Sequence, residues 1–329
     1  MTRALVTGVG GQDGSYLVEQ LVAEGVEVHG YTHGRAMSVP GVEVHVGDIT
    51  RTDEVRRLVL DLAPDEIYNL AAVSSVARSW EEPDLTAALN GTGAVGVLDA
   101  AFRLQQRLGR PVRVVQVSSA EIFGEPDRSP QDEHTPLRPV NPYGAAKAYA
   151  HSMCGIYRQR GLPVSAVILY NHESPRRPPH FVTRRIAAGV AAIARGEADR
   201  LTLGNLDARR DWGWAPDYVD AMVRAARADD PQDYVIATGV SHSVRELAAA
   251  AFAHVGIEDW EPLVEVDPAL ARPVDAAELV GDATKARDLL DWTPTVSFDE
   301  LVSRLVTAEL TPAGGLDTGS AGAPPGSTT

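Results

Sequence analysis

Near its N-terminus the chain contains the stretch Ala4-Leu5-Val6-Thr7-Gly8-Val9-Gly10-Gly11-Gln12-Asp13-Gly14. Its first four residues predict a short buried strand, and an amphipathic pattern from Tyr16 to Val22 predicts the helix that follows. Gly8, Gly11 and Gly14 lie between the two, in the spacing G-x-x-G-x-x-G. A strand, a glycine-rich turn and a helix together bring backbone N–H groups and a helix N-terminus against a pyrophosphate. The stretch therefore predicts a dinucleotide-binding turn.

The alternation of strand and helix continues through the first half of the chain. Further strands are predicted at residues 26–31, 42–46, 66–72, 112–117 and 164–169, and helices at 51–62, 85–108, 142–160 and 181–195. Such alternation is typical of an α/β fold with a doubly wound parallel sheet, the Rossmann arrangement. We expect this domain to cover residues 1–170 and a smaller C-terminal substrate-binding domain to cover residues 171–310. Residues 311–329 contain almost no large apolar side chain and predict a disordered tail.

Composition and charge exclude several classes of protein. The chain has 329 residues and a formal net charge of −15 without a basic run, which argues against binding to nucleic acid. Its single cysteine, Cys154, allows no intrachain disulfide and fits a reducing cytoplasm. We see no Cys/His cluster with metal-ligand spacing and predict no metal site. No apolar stretch approaches the roughly 20 residues that cross a bilayer, so we expect a soluble protein without membrane contact.

A second stretch, from Ser118 to Lys147, carries the candidate catalytic groups at the end of the fifth predicted strand. Tyr143 and Lys147 are four residues apart, which places them on one face of a helix. A neighbouring ammonium favours the phenolate and could make the tyrosine a general base. Ser119 offers a hydroxyl and Glu121 a second acid/base group. A tyrosine and a lysine at this spacing could also be an exposed pair on a solvated helix, but the cofactor turn favours the catalytic interpretation.

The expected cofactor is NADP, with NAD the less favoured alternative. An acidic residue about 20 positions past the glycines normally binds the ribose hydroxyls of NAD. Here Tyr31-Thr32-His33-Gly34-Arg35 contains no acid, and Arg35 could bind a 2′-phosphate. Asp48 and Ile49 follow the third strand, where an adenine edge could be bound. The small residues after the fourth strand allow close approach to a cofactor; the predicted contacts there are Leu70, Ala71 and Ala72.

These pieces together resemble the extended short-chain dehydrogenase/reductases, and within them the GDP-mannose 4,6-dehydratase family. The resemblance covers about residues 3–310, and its narrowest motif is the run from Asn171 to Arg177. The other matching runs are Thr7–Leu17, Gly47–Thr50, Pro64–Leu70, Tyr143 with Lys147, Phe181–Arg184, Leu203–Asn205, Arg210–Gly213, Ile236–Val240, Ser243–Arg245, Arg272–Pro273 and Gly281–Lys285.

The resemblance implies a three-step reaction on GDP-mannose. Tyr143 would remove the C4 hydroxyl proton while hydride passes to NADP+, with Ser119 in the place of the usual threonine. Glu121 would then remove the acidified C5 proton and help water leave from C6, and the hydride would return to C6. Lys147 would also hold the nicotinamide ribose. Further implied cofactor contacts are Gln12, Asp13, Ser74, His172 and Arg177. The implied substrate contacts are Ser74, Ser119, Glu121, Asn171, Arg185, Asn205, Arg210 and Arg272.

Three positions depart from the family pattern and leave alternatives open. Ala72-Val73-Ser74-Ser75 replaces the usual Ala-Gln-Ser-His, and Ala120 replaces a serine. The loop at 33–41 is shortened and lacks the family's paired arginines; in relatives this loop reaches the cofactor site of a neighbouring subunit. We therefore expect a homodimer through the two long helices, with a homotetramer as the alternative. A reductase or epimerase acting on a related GDP-sugar is the second functional hypothesis, and a non-catalytic NADP-sensing protein is the third.

Overall fold

The computed structural model describes residues 1–34, 37–270 and 276–311. Arg35, Arg272 and the predicted tail from residue 312 onward lie outside the described residues. The strands are β1 Arg3–Thr7, β2 Glu27–Thr32, β3 Val42–Val46, β4 Glu66–Asn69, β5 Arg113–Ser119, β6 Val164–Leu169, β7 Asn171–Glu173, β8 Leu201–Leu203, β9 Arg209–Trp214, β10 Asp233–Ile236, β11 Ser241–Ser243, β12 Val264–Val266 and β13 Glu278–Leu279. The helices are α1 Gln12–Ala23, α2 Thr52–Leu62, α3 Val76–Glu81, α4 Pro83–Thr86, α5 Ala94–Leu108, α6 Pro142–Gln159, α7 Val182–Ala194, α8 Ala215–Arg227, α9 Val244–His254, α10 Thr284–Leu290 and α11 Phe298–Leu310.

The main sheet is parallel and doubly wound, which confirms the predicted fold class. Its seven strands have the order β10-β6-β5-β4-β1-β2-β3. The direction in which successive strands are added to the sheet reverses between β1 and β4. Open α/β sheets bind their ligands beside such a point, at the carboxyl ends of the strands. The glycine-rich turn follows β1, and Ser119 ends β5. Both predicted motifs therefore reach the same edge of the sheet.

Strand β4 ends at Asn69, three residues earlier than predicted. The backbone N–H groups of Leu70 and Ala71 leave the ladder and donate to the Thr7 hydroxyl, each at 3.1 Å. Thr7 in turn donates to the side chain of Asn69 at 2.6 Å. A buried threonine on β1 thus replaces the ladder bonds of β4 and turns the chain toward the glycine-rich turn.

Helices cover both faces of the main sheet. Helices α1 and α8 pack together on one face, where their apolar side chains share a core with β1 and β6. Helices α2, α5 and α6 bury a second core on the other face. A π-helical segment, Ala87–Gly93, joins α4 to α5 and packs against α6.

The C-terminal half contributes to both parts of the molecule. Its own core lies between α7, α9 and α11. A small sheet has the order β11-β9-β13, and β7 pairs with β9 beside it. Strand β10 and helix α8 return to the main sheet, and Tyr218 and Trp292 pack into the same core as β1. The domain boundary at residue 170 stays a prediction.

One helical segment, Pro83–Leu108, is long and apolar enough to cross a bilayer by length and composition, with mean hydropathy 1.2. The sequence analysis expected no such stretch. Inside the protein, however, 61% of its most apolar window is buried, because α5 packs on α2 and on the main sheet. The segment therefore serves as a core helix in the described fold.

Candidate active site

Helix α6 docks its first turns onto the carboxyl end of β5. Lys147 is buried, and its Nζ donates to the carbonyl oxygen of Val117 at 2.9 Å. One turn earlier, Gly144 faces the backbone of Glu121, where a Cβ would lie 2.4 Å from the carbonyl oxygen. The close approach of helix to strand therefore requires glycine at position 144.

Tyr143 and Ser119 meet at this contact. Tyr143 is buried and shares a side-chain hydrogen bond with Ser119. Burial raises the pKa of Tyr143 to about 12, although the hydrogen bond to Ser119 and the guanidinium of Arg177 act in the opposite direction. Burial also lowers the pKa of Lys147 to about 8.

The expectation that Lys147 pulls the phenol toward the phenolate is wrong for this state of the protein. The Lys147 ammonium is directed at Val117, and its Nζ lies 5.9 Å from the centroid of the Tyr143 ring. Burial, and not the charge of Lys147, is the main cause of the shifted pKa of Tyr143. Burial therefore favours the neutral phenol of Tyr143 in the ligand-free protein.

Glu121 is held by a residue that sequence reasoning missed, Asn141. The Asn141 Nδ2 donates to Oε2 of Glu121 at 2.8 Å, and its Oδ1 accepts from the backbone N–H of Gly144 at 2.8 Å. One buried amide therefore caps α6 and fixes the carboxylate at the same time. An asparagine directly before a proline at a predicted helix start is an N-cap signal, and it could have identified the residue.

The glycine-rich turn has the geometry of an anion site. Gly8 has φ +70°, and a Cβ there would lie 3.0 Å from the backbone nitrogen of Ala71. At Gly14 a Cβ would lie 2.4 Å from the carbonyl oxygen of Gly8. The N-cap residue of α1 is Gly11, which has no side chain to cap the helix. The first N–H groups of α1 therefore remain available to a ligand. The turn fits a dinucleotide pyrophosphate.

Gln12 and Asp13 connect this turn to β7. The Asp13 Oδ2 lies 2.9 Å from His172 Nε2, and Gln12 Nε2 donates to the carbonyl oxygen of His172 at 3.1 Å. Although burial acts the other way, His172 lowers the pKa of Asp13 to about 2, and Asp13 raises the pKa of His172. The two pKa shifts favour the charged form of each side chain. The contact joins residues 159 positions apart.

The remaining predicted cofactor residues lie around the same edge. Asp48 accepts from the backbone N–H and hydroxyl of Thr50, at 2.9 and 2.7 Å, and these bonds lower its pKa. Ile49 is buried, and Ala71 lies beside Gly8. Arg177 is mostly buried, with its Nε 3.3 Å from Oε2 of Glu173. Ala72 is half-buried in the loop after β4. Their contacts with a cofactor stay predictions.

The structure brings together only some of the predicted substrate residues. Asn171 and Arg210 lie on the paired strands β7 and β9. Arg210 is buried and donates to the carbonyl oxygen of Ala276 at 2.9 Å. The others are more dispersed: Ser74 is exposed before α3, Arg185 is half-buried on α7, and Asn205 is exposed and accepts from the N–H of Asp207. Their roles stay predictions.

Asn90 is a second residue that the sequence analysis missed. Its side chain accepts from the N–H of Val73 at 2.8 Å and donates to the carbonyl oxygen of Val73 at 2.9 Å. Asn90 lies in the π-helical segment before α5, and this segment therefore holds the loop that carries Ala72 and Ser74. No sequence signal identifies the pair, because the contact depends on how the helix packs.

Comparisons with known proteins give a consistent result. The sequence model of a family described as GDP-mannose 4,6 dehydratase matches residues 5–305. GDP-mannose 4,6 dehydratase 1 of Arabidopsis thaliana is 42% identical, over 93% of this chain and 89% of that protein. UDP-glucose 4-epimerase of Thermus thermophilus, solved with NAD, is 28% identical with a TM-score of 0.81, over 94% of this chain and 99% of that one. RMD of Pseudomonas aeruginosa, solved with NADPH, shares the fold at 23% identity, with a TM-score of 0.77 over 94% and 99% of the two chains.

Proposed function

The chain belongs to the GDP-mannose 4,6-dehydratase family, and we propose that it converts GDP-mannose to GDP-4-keto-6-deoxymannose. The observation that carries the proposal is the pairing of two acid/base groups at one strand end. Tyr143 contacts Ser119, and Glu121 is fixed beside them by Asn141. A simple reductase needs only the first group, whereas the removal of water also needs a base for the C5 proton.

The cofactor is a nicotinamide dinucleotide, for which the glycine-rich turn, the N-terminus of α1 and the Asp13–His172 pair provide the site. We propose NADP in preference to NAD. Strand β2 ends at Thr32, where His33 and Gly34 follow in place of an acid, and Arg35 is next in the sequence. A carboxylate at this point would repel a 2′-phosphate, while a cation would bind it.

The chain's own residues move the protons of the reaction. When bound, a nicotinamide cofactor would accept hydride from C4, return it later to C6, and add a positive charge to the site. The Tyr143 oxygen takes the proton of the C4 hydroxyl, while Ser119 hydrogen-bonds to Tyr143. The Glu121 carboxylate takes the C5 proton and delivers it to the C6 hydroxyl, which leaves as water. Glu121 then takes a proton from solvent and gives it to C5 as the hydride returns, and Tyr143 releases the C4 proton to solvent, so there would be no net use of cofactor.

The test is an incubation of the purified protein with GDP-mannose, without added cofactor and with NADP+ or NAD+. We expect a product that has lost one water molecule and carries a 4-keto group, formed better with NADP+ than with NAD+. Glu121→Gln should abolish the product and leave nucleotide-sugar binding largely intact. No product under any condition would contradict the proposal, and NADP binding without turnover of any nucleotide sugar would instead favour a sensor.

We also propose a homodimer formed through the two long helices, α5 and α6. These helices contact one another within the chain. On and near them several large apolar side chains remain 37 to 51% exposed: Trp80, Leu85, Tyr149 and Ile156. The mass of the protein by light scattering tests this state against the predicted alternative of a tetramer. The cytoplasmic location stays a prediction, as does the absence of nucleic-acid and membrane partners.

A further inference from the structure

Two histidines and a glutamate come together on the edge of the main sheet, away from the glycine-rich turn. In the parallel pairing of β2 and β3, His29 lies opposite Glu43, and Tyr31 lies opposite His45. Because alternate residues of a strand share one face, His29, Glu43 and His45 all project from the same face. The His29 side chain is buried, that of His45 is 23% exposed, and that of Glu43 is 69% exposed.

Their ligand atoms already have nearly the separations that a zinc ion requires. The His29 Nδ1 lies 3.1 Å from His45 Nε2 and 3.6 Å from Oε2 of Glu43. The distance from His45 Nε2 to Oε1 of Glu43 is 3.8 Å. Tetrahedral zinc with bonds of about 2.0–2.2 Å needs its ligand atoms about 3.3–3.5 Å apart. The two nitrogens are nearest to different oxygens of Glu43, so a rotation of this exposed carboxylate together with small shifts of the rings closes the site.

The hydrogen bond on the other side of His29 selects the tautomer that can bind a metal. His29 Nε2 lies 3.1 Å from Oε1 of Glu27. Arg3 pairs with both oxygens of Glu27, at 2.9 and 3.1 Å, so Glu27 is a carboxylate that can only accept. The His29 hydrogen is thus on Nε2, and the lone pair of Nδ1 is directed toward His45 and Glu43. A carboxylate behind a histidine is the usual support of a metal ligand.

We propose that His29, Glu43 and His45 form a binding site for a divalent transition-metal ion, with Zn²⁺ the best match. Two imidazole nitrogens and one carboxylate oxygen are a donor set that zinc prefers, and a water molecule completes the tetrahedron. Binding displaces the hydrogen between His29 Nδ1 and His45 Nε2, which passes by way of solvent to Nδ1 of His45, so both imidazoles stay neutral. The ion ties β3, the outermost strand, to β2. The sequence analysis predicted no metal site, because the three ligands come from two strands and have no motif spacing.

The experiment uses the full-length protein without an affinity tag, freed of metal with a chelator. Titration calorimetry with Zn²⁺ should give one tight site per chain, and Co²⁺ should give the visible absorption of a tetrahedral complex. His45→Asn and Glu43→Gln should abolish both signals, and Glu27→Gln should weaken Zn²⁺ binding about 10–100-fold by releasing His29. His134→Asn is the matched control, since this exposed histidine lies elsewhere on the surface, and it should bind Zn²⁺ like the wild type.

The folded state of each metal-free variant is compared by circular dichroism. Glu43 is largely exposed, so Glu43→Gln keeps the test valid if the histidine variant does not fold. Zn²⁺ should raise the melting temperature of the wild type and of His134→Asn, and should leave that of Glu43→Gln unchanged. Absence of stoichiometric binding in the wild type would overturn the proposal. Equal Zn²⁺ binding by the wild type and Glu43→Gln would overturn it as well, since the ion would then be bound elsewhere.

Discussion

Asn141 makes two hydrogen bonds with different functions, and two substitutions can separate them. Asn141→Ser keeps an N-cap for α6 but is too short to reach Glu121, whereas Asn141→Ala removes both bonds. The cap contributes about 1 kcal/mol, and a hydrogen bond to a carboxylate about 1.5–3 kcal/mol. We therefore expect the alanine variant to lose about 2.5–4 kcal/mol of unfolding free energy, and the serine variant about 1 kcal/mol less.

The activity should depend on the hydrogen bond to Glu121 and not on the helix cap. Both variants remove the hydrogen bond from Asn141 to the Glu121 carboxylate, so both should lower kcat about tenfold or more, the equivalent of about 1.4 kcal/mol. Urea unfolding and steady-state kinetics measure the two quantities. In the background of Glu121→Gln, which has no base to position, substitution of Asn141 should change residual turnover little. A serine variant with wild-type kcat would refute the idea that Asn141 positions the base.

Three further predictions concern helix α6 and the Asp13–His172 pair. Gly144→Ala should lower the unfolding free energy by about 1–3 kcal/mol and remove most of the activity, because its Cβ would meet the Glu121 carbonyl. Gly155→Ala, in the same helix, has open space around the new Cβ and should stabilise the protein. Urea unfolding measures both changes. Lys147→Met should raise the melting temperature while abolishing turnover, because burial of its ammonium holds the pKa at about 8; a lower melting temperature would contradict this. The lowered pKa of Asp13 contributes about 2 kcal/mol to the unfolding free energy above a pH of about 4, and this contribution is lost as the pH falls toward about 2. Asp13→Asn should therefore flatten that part of the acid-unfolding curve.

The elements of the Rossmann half could be predicted from the sequence because their signals are local. Strand β1, the glycine-rich turn and helix α1 are adjacent in the chain, and each has a hydrophobic period or a glycine spacing of its own. The Tyr143 and Lys147 spacing is local in the same way. These predictions needed no knowledge of packing, and the structure confirms the doubly wound parallel sheet that they imply.

Contacts between distant segments could not be predicted in this way. Asp13 and His172 are 159 residues apart, and their ion pair depends on β7 following β6 across the sheet. The amide of Asn141 reaches Glu121 only because the intervening loop returns α6 to the end of β5. Likewise, the pKa of Tyr143 depends on burial, which the i,i+4 spacing to Lys147 does not reveal. Tertiary packing decides each of these features.

The most direct measurement follows a deuterium label from C4 of GDP-mannose. Because the hydride removed from C4 is held by the cofactor and then returned to C6, the account predicts that the label appears at C6 of a product that has lost one water molecule. Mass spectrometry and nuclear magnetic resonance locate the label. Loss of the label to solvent, or a product that keeps all of its oxygen atoms, would contradict the account.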